Sequence, residues 1–364
     1  MKILFDGRVC CDHFTGVGRY AFGLVRHLAP AFPEIQFTVA WNPRLPNSRF
    51  DWDLVRCMGN VTLMPCAGSG VRLLDPLPLH SIARRIRPDL LQAPYFTSAV
   101  LSPVRSVVTI HDVTPFTVGQ DRWRHAAARW GIRTAARSAA FVITPTEAVR
   151  TQVIDRFAVD PARIVSIPEG VEPLPEGRLP DPALAASPYV LFVGVHKPHK
   201  NLTGLLDAMA LAFPEGQARL VLAGPCSTFT ARLRRRAAAL GMDGRVVFTG
   251  PLDDSQLGAL YRGASALALV SFEEGFGLPL AEAMSMRVPV VASDLPVLRE
   301  VCGEAALYAD PRSPSSIALA LAEALARRNG AAARLDHGSR RAAALSWPAL
   351  APRYAVCYAN AGNA

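Results

Sequence analysis

No apolar run in the 364 residues approaches the ~18–20 consecutive positions that a membrane-spanning helix needs. Lysine is almost missing: Lys2, Lys197 and Lys200 are the only three. The formal net charge of +9 is therefore carried almost wholly by arginine, whose planar fork suits phosphates, nucleic acids and anionic lipid headgroups alike. The seven cysteines, Cys10, Cys11, Cys57, Cys66, Cys226, Cys302 and Cys357, form no C-x-x-C pair and have no histidine at regular spacing. That argues against a zinc site or a disulfide scaffold, and the cysteines read as buried thiols of a reducing cytoplasm. No repeat recurs at a 20–50-residue period, which excludes solenoids and propellers. The first apolar run, residues 3–5, stops too early for a signal peptide and reads as a strand. What is present is a chain half hydrophobic and 8% aromatic, rich enough in apolar residues to bury a core and long enough for two domains.

Short apolar runs alternate with helix-period segments along most of the chain. Strands are expected at 3–5, 35–40, 61–64, 90–92, 107–110, 141–144 and 164–167. Helices are expected between them at 16–28, 71–86, 122–137 and 147–157. Residues 173–188 break the pattern with Pro173, Pro175, Gly177, Pro180, Asp181, Pro182 and Pro188, the composition of a linker. The alternation restarts with a strand at 189–193 and continues through strands at 220–223, 246–249, 266–270 and 289–292. Such alternation implies parallel sheets covered on both faces. The expected organisation is an N-terminal Rossmann-like domain over 1–172, a linker over 173–188 and a second over 189–346. A terminal helix over 347–364 is expected to pack back on the first domain. In open α/β sheets, ligands bind beyond the carboxyl ends of the strands, so two such domains are expected to face a shared cleft.

The most informative stretch is 271–286. Two carboxylates, Glu274 and Glu282, are separated by seven residues that include Gly275, Gly277 and Pro279. A strand, a glycine-rich turn and a helix opened by proline bring backbone N–H groups and a helix dipole together where an anion can bind. A carboxylate fixed in the helix can accept from vicinal hydroxyls, and the two glutamates could also serve as an acid/base pair. A second constellation follows the first strand of the second half: Gly194, His196, Lys197, His199 and Lys200. Lys200 at a helix start can neutralise a diphosphate, with His199 or Lys197 as its helper. In the first half, Ile110-His111-Asp112 ends a strand, where a histidine is as open to a structural as to a chemical role. Gly16-Val17-Gly18-Arg19-Tyr20-Ala21 matches G-x-G-x-x-A, but about ten residues separate it from its strand, which argues against a nicotinamide cofactor.

Read together, Glu274 to Met284, the following Val288-Pro289-Val290-Val291 and Pro296-x-x-x-Glu300 resemble the E-x7-E signature of glycosyltransferase family 4. The resemblance implies the GT-B fold and retaining transfer from a nucleotide sugar. It implies that Glu274 lies beside the transferred sugar, that the amides of Phe276, Gly277 and Leu278 meet the diphosphate, and that Glu282 holds the ribose. Lys200 is then a phosphate ligand, Gly194 part of the donor loop, and His111 a neighbour of the reaction centre. Gly16 and Gly18 fall in a loop over the sugar-phosphate and acceptor region. No metal or other cofactor is implied, since protein groups supply the positive field.

The whole assembly looks most like bacterial mannosyltransferases of surface-polysaccharide assembly, which implies GDP-mannose as donor and a lipid-linked or saccharide acceptor. A UDP- or dTDP-sugar donor, a sugar-nucleotide epimerase and a nucleic-acid-binding protein are the alternative readings. The aromatics do not interleave with the basic clusters, so nucleic acid is not an expected partner. Asp51-Trp52-Asp53 spells D-x-D but supplies only part of a metal ligand set. Arg122, Arg129, Arg133 and Arg137 share much of one helical face, beside His125, with Trp123 and Trp130 elsewhere on the helix. That face is either solvated or a peripheral contact for the anionic inner face of the cytoplasmic membrane. The cluster Arg232, Arg234, Arg235 and Arg236 reads as solvated.

Overall fold

The computed structural model describes residues 1–12, 15–71, 75–113, 122–326 and 331–363, without the side chains of residues 15, 122–125 and 363. The chain divides into two compact units, Met1–Gly170 with Leu345–Ala364, and Val171–Ala344.

Unit one is built from β1 (Lys2–Asp6), α1 (Thr15–Ala31), β2 (Gln36–Trp41), α2 (Trp52–Arg56), β3 (Val61–Pro65), α3 (Pro76–Ile86) and β4 (Leu90–Ala93). It continues with α4 (Phe96–Ala99), β5 (Ser106–Thr109), α5 (Arg122–Ser138), β6 (Phe141–Thr144), α6 (Glu147–Phe157) and β7 (Ile164–Ser166). The strand order is β3-β2-β1-β4-β5-β6-β7, parallel throughout. The order reverses at β1 and β4, which sets the switch point of a doubly wound sheet there. β4 and β5 are buried along their whole length, as a strand covered on both faces must be.

Unit two holds β8 (Tyr189–Val193), α7 (Leu202–Ala212), β9 (Arg219–Ala223), α8 (Thr230–Ala239), β10 (Val246–Gly250) and α9 (Asp254–Gly263). After these come β11 (Ala266–Leu269), α10 (Leu278–Ser285), β12 (Val290–Ser293), α11 (Pro296–Cys302), β13 (Ala306–Ala309), α12 (Pro314–Ala326) and α13 (Ala331–Ala344). Its strand order, β10-β9-β8-β11-β12-β13, is also parallel throughout, with the switch point between β8 and β11.

The last helix, α14 (Trp347–Asn363), returns to unit one and packs on α1. Leu350, Ala351, Tyr354, Cys357, Tyr358 and Ala361 are buried on one stripe of it, at the 3.6-residue spacing that an amphipathic helix requires. They join Tyr20, Leu24, Val25 and Leu28 of α1 in one core cluster.

Several sequence expectations need correction. Gly16 and Gly18 lie inside α1, not in a loop. A Cβ on Gly18 would stand 2.8 Å from the Val9 carbonyl oxygen and 3.0 Å from the Phe50 ring, so this glycine lets α1 press against the chain that follows β1. The helix expected over 71–86 begins at Pro76, and positions 72–74 of that expectation lie outside the described residues. The D-x-D run is a helix start. Asp51 caps α2 by accepting from Asp53 N at 3.0 Å, and Asp53 pairs with Arg56 at 2.9 Å on the surface. Two cysteines, Cys57 and Cys226, are exposed, while the other five are buried and all seven are free thiols.

α5 spans Arg122–Ser138. Ile132, Ala135 and Ala136 face the core, while Arg129, Arg133 and Arg137 are exposed and Trp130 is 52% exposed. The expectations for the Arg122, Trp123 and His125 side chains fall outside the described residues. No helix among the described residues is long and apolar enough to cross a membrane.

Candidate active site

In unit two the two loops that leave the switch point, after β8 and after β11, carry the groups singled out in the sequence. The loop after β8 is pinned from below. His196 is fully buried, and its Nδ1 lies 2.9 Å from Thr230 Oγ1. The Ser227 amide donates to the same hydroxyl oxygen at 2.9 Å, and Ser227 Oγ donates to the His196 carbonyl. Burial, aided by the charge of Arg234, holds the His196 imidazole below its ordinary pKa, so the ring is a neutral strut. Gly194 has φ +150°, and a Cβ on its neighbour Gly224 would stand 2.3 Å from the Gly194 carbonyl oxygen. Glycine is required there because two backbones touch.

Three contacts tie the β8 loop to the β11 loop. Asn201, in the left-handed region at φ 54°, donates from Nδ2 to Val270 O at 3.0 Å and to Pro311 O at 2.6 Å. The Phe272 amide donates to His199 O at 2.8 Å. Lys200 Nζ donates to Glu274 Oε1 at 2.7 Å, with the two side chains 21% and 10% exposed. Ser271 Oγ donates to the same carboxylate oxygen at 2.7 Å, and Ser293 Oγ holds the Ser271 carbonyl at 2.6 Å. A partly buried carboxylate is thus matched to a cation and a hydroxyl, the pairing burial demands.

Gly277 follows with φ +93° and caps α10. A Cβ on it would meet Leu298 Cδ2 at 2.9 Å, so both conformation and space call for glycine. Pro279 stands in the first turn of α10, where its missing N–H leaves the helix start open. The Phe276 ring is buried at 4% exposure, so its backbone, not its ring, is what it offers a ligand. Further along α10, Glu282 is 4% exposed and accepts from Tyr261 OH at 2.6 Å. Tyr261 is delivered by α9, whose start is fixed by a capping box between Asp253 and Gln256. The two glutamates therefore have separate environments and separate partners.

In unit one, His111 leaves the carboxyl end of β5. Its Nδ1 lies 2.7 Å from Glu169 Oε1 and its Nε2 2.8 Å from Pro94 O. Burial opposes the charged ring, but the Glu169 hydrogen bond and charge, the Pro94 carbonyl and the charge of Asp112 outweigh it and raise the His111 pKa above its ordinary value. Tyr20 meets the ring edge-on, centroids 4.9 Å apart at 86°. Gly16, in the first turn of α1, has open space where a Cβ would point.

At the end of β1, Asp6 and Arg8 are fully buried. Arg8 donates from Nε and Nη2 to the two Asp6 oxygens at 2.8 and 2.9 Å. It also donates from Nη1 to Ala67 O at 2.8 Å and Asp75 O at 2.7 Å. Burial would raise the Asp6 pKa, yet the charge and hydrogen bonds of Arg8 and the Ser98 hydroxyl hold it below the usual carboxylate value.

Glu169, Tyr261 and Ser271 were not singled out in the sequence. Ser271 adjoins the glutamate run, and Glu169 sits in Pro168-Glu169-Gly170 just past β7. Position at a strand's carboxyl end was the one available signal. Tyr261 offered none, because helical tyrosines are most often core residues. Among the described residues no group of three or more His, Cys, Asp or Glu is placed to hold a metal ion.

Two family profiles match successive parts of the chain. One described as glycosyltransferase family 4 matches residues 14–173, and one described as glycosyl transferases group 1 matches residues 182–341. O-antigen chain mannosyltransferase B of Escherichia coli is 29% identical over 95% of this chain and 96% of its own length. O-antigen chain mannosyltransferase RfbU of Salmonella typhimurium is 26% identical over 66% of this chain and 68% of its own. Sucrose-phosphate synthase of Thermosynechococcus elongatus superposes with a TM-score of 0.78 at 20% identity, covering 99% of this chain and 98% of that one. That likeness carries the fold, two Rossmann-like domains of the GT-B class, and the paired profiles carry the family: the chain is a glycosyltransferase and belongs to glycosyltransferase family 4.

Proposed function

We propose that the protein transfers a hexose, mannose from GDP-mannose, with retention at the anomeric carbon, to a lipid-linked or saccharide acceptor in polysaccharide synthesis. The observation that carries this reading is the Lys200–Glu274 pair beside the open start of α10, with Glu282 held apart on Tyr261. The mannose assignment is supported by what the two O-antigen relatives are named for.

In this reading Lys200 and the amides of Phe276, Gly277 and Leu278 stabilise the diphosphate as it departs, each charge-assisted hydrogen bond being worth about 1.5–3 kcal/mol. Gly194 lets the β8 loop approach the donor, Glu282 takes the ribose hydroxyls, and Glu274 takes the sugar. A glycosidase places two carboxyl groups about the same anomeric carbon. Glu274 and Glu282 instead have separate partners, so no covalent glycosyl-enzyme is expected. The acceptor oxygen bonds to the anomeric carbon as the bond to the diphosphate breaks, on the same face. The acceptor's proton passes to the leaving phosphate oxygen. No metal is required, because protein groups supply the positive field.

The exposed Arg129, Arg133, Arg137 and Trp130 of α5 support a peripheral contact with an anionic bilayer, at about 1 kcal/mol per basic residue near the surface. Flotation with anionic but not neutral vesicles is the expected outcome, and indifference to lipid charge would remove it.

The central test incubates the protein with GDP-mannose and with UDP- and dTDP-sugars, each with a lipid-linked saccharide acceptor. Release of nucleoside diphosphate is followed, and the anomeric configuration of the product is read by NMR. GDP release with an α-linked product is expected. Epimerised donor without diphosphate release, or release from UDP- or dTDP-sugars alone, would replace this reading with one of its alternatives.

A further inference from the structure

Both ring nitrogens of His111 face acceptors. Nδ1 meets a Glu169 carboxylate oxygen at 2.7 Å and Nε2 meets the Pro94 carbonyl oxygen at 2.8 Å. A neutral imidazole carries one N–H. With an ionised Glu169, the second contact would then set a nitrogen lone pair against an oxygen lone pair at hydrogen-bond distance. A ring protonated on both nitrogens satisfies both contacts.

From this geometry we infer that Glu169 is a positioning residue that holds His111 as a fixed imidazolium, so that the carboxyl end of β5 presents a cation and not a general base.

The surroundings agree. Glu169 is 6% exposed, and the turn that carries it is braced by α14: a Cβ on Gly170 would stand 2.2 Å from Trp347 Cδ2. Tyr20 fixes the ring plane from its edge, and its own hydroxyl is held by Thr109 at 2.9 Å and Tyr354 at 3.3 Å. Among the described residues, the titratable groups facing the pair are Asp112 beside His111, Tyr20 from α1, Tyr354 from α14 and Tyr95 after β4. Burial raises all three phenols above their ordinary pKa, which keeps them neutral. The competing arrangement keeps one proton on Glu169 and one on Nε2. A 15N spectrum separates that arrangement from the imidazolium, because it leaves only one ring nitrogen protonated.

The consequence rests on the proposed transfer reaction. No proton moves at His111: the acceptor's proton goes to the leaving diphosphate, and His111 supplies a standing positive field instead of a base.

The full-length protein, labelled with 15N-histidine, tests this directly, with His111→Gln assigning the signal. Two protonated ring nitrogens on His111 at pH 7.5 are expected. In Glu169→Gln the second proton should leave at lower pH. Sugar transfer by that variant at pH 8 should then fall about tenfold for each pH unit by which the His111 titration moves below pH 8, and should recover relative to the parent at pH 6. A single protonated nitrogen in the parent at pH 7.5, including the form with the proton on Glu169, overturns the inference. So does an unaltered His111 titration in Glu169→Gln. If that variant does not fold, the parent spectrum alone decides. If no donor is turned over, the spectra still decide, and it is the transfer reading that has failed.

Discussion

Replacing Lys200 with methionine keeps most of the side chain's apolar stem and removes its charge. Lys200 Nζ sits 2.7 Å from Glu274 Oε1, with only 21% of the lysine side chain and 10% of the glutamate side chain exposed. A charge-assisted hydrogen bond in such a setting is worth about 1.5–3 kcal/mol. Ser271 Oγ still donates to the abandoned carboxylate, so the folding loss belongs at the lower end, about 1–2 kcal/mol, or roughly 2–8 °C in Tm for a domain of this size. The loss in turnover should be larger. If Lys200 neutralises the departing diphosphate, about 2–3 kcal/mol of transition-state stabilisation disappears, roughly 30–150-fold in kcat/KM. A double-mutant cycle with Glu274→Gln separates the two effects. Coupling in thermal unfolding reports the ion pair, and steady-state release of nucleoside diphosphate reports the chemistry. Turnover within about threefold of the parent, in a protein that shows the expected unfolding shift, would remove Lys200 from the phosphate site and leave it a structural cation.

Tyr261→Phe removes the hydroxyl that meets Glu282 at 2.6 Å; KM for the donor should rise about 3–10-fold with kcat within about twofold, and the reverse split would exchange the roles of the two glutamates. Asp6→Asn leaves the buried Arg8 guanidinium without its counter-charge and should cost about 3–5 kcal/mol in urea unfolding at pH 7. Because the folded Asp6 pKa is lowered, its contribution is present above the unfolded value of ~3.9 and is lost as pH falls through the folded value. The Asp6→Asn profile should therefore be flatter in acid, and a loss under about 1 kcal/mol at pH 7 would show that the pair is dispensable. Sugar transfer should survive an excess of chelator, and activity lost to chelator and restored by an added divalent cation would refute the metal-free mechanism.

The alternation of apolar runs with helix-period segments made the first parallel sheet and all of the second but β13 legible, because strands buried on both faces read as continuous hydrophobic runs. β13, Ala306–Ala309, is only four residues long and half-buried at its centre. The donor stretch was legible for a local reason: Glu274, Gly277, Pro279 and Glu282 are close in sequence, and each reports a backbone requirement. What the sequence concealed was pairing at a distance. Glu169 is 58 positions from His111, and Lys200 is 74 from Glu274. Nothing in a one-dimensional pattern tells a carboxylate at a strand end which ring it will meet. The misreading of Gly16 and Gly18 has a different origin. Close backbone approach calls for glycine whether the neighbour is a ligand or the Val9 carbonyl, and spacing alone does not separate the two. Short helices such as α2 and α4 went unread because five and four residues carry too little periodicity to register.

The return of α14 to unit one has a consequence for how the protein is made. Unit two is one uninterrupted segment, Val171–Ala344, and all its core residues are available once that segment has left the ribosome. Unit one has to wait. Tyr20, Leu24 and Leu28 of α1 share a core cluster with Leu350, Tyr354 and Tyr358, which are synthesised more than three hundred residues later. The first-made half therefore finishes last, with an apolar groove along α1 that stays open through synthesis of the whole second unit. Such a groove is the kind of surface chaperones hold, and the long loop it closes marks a slow step in folding.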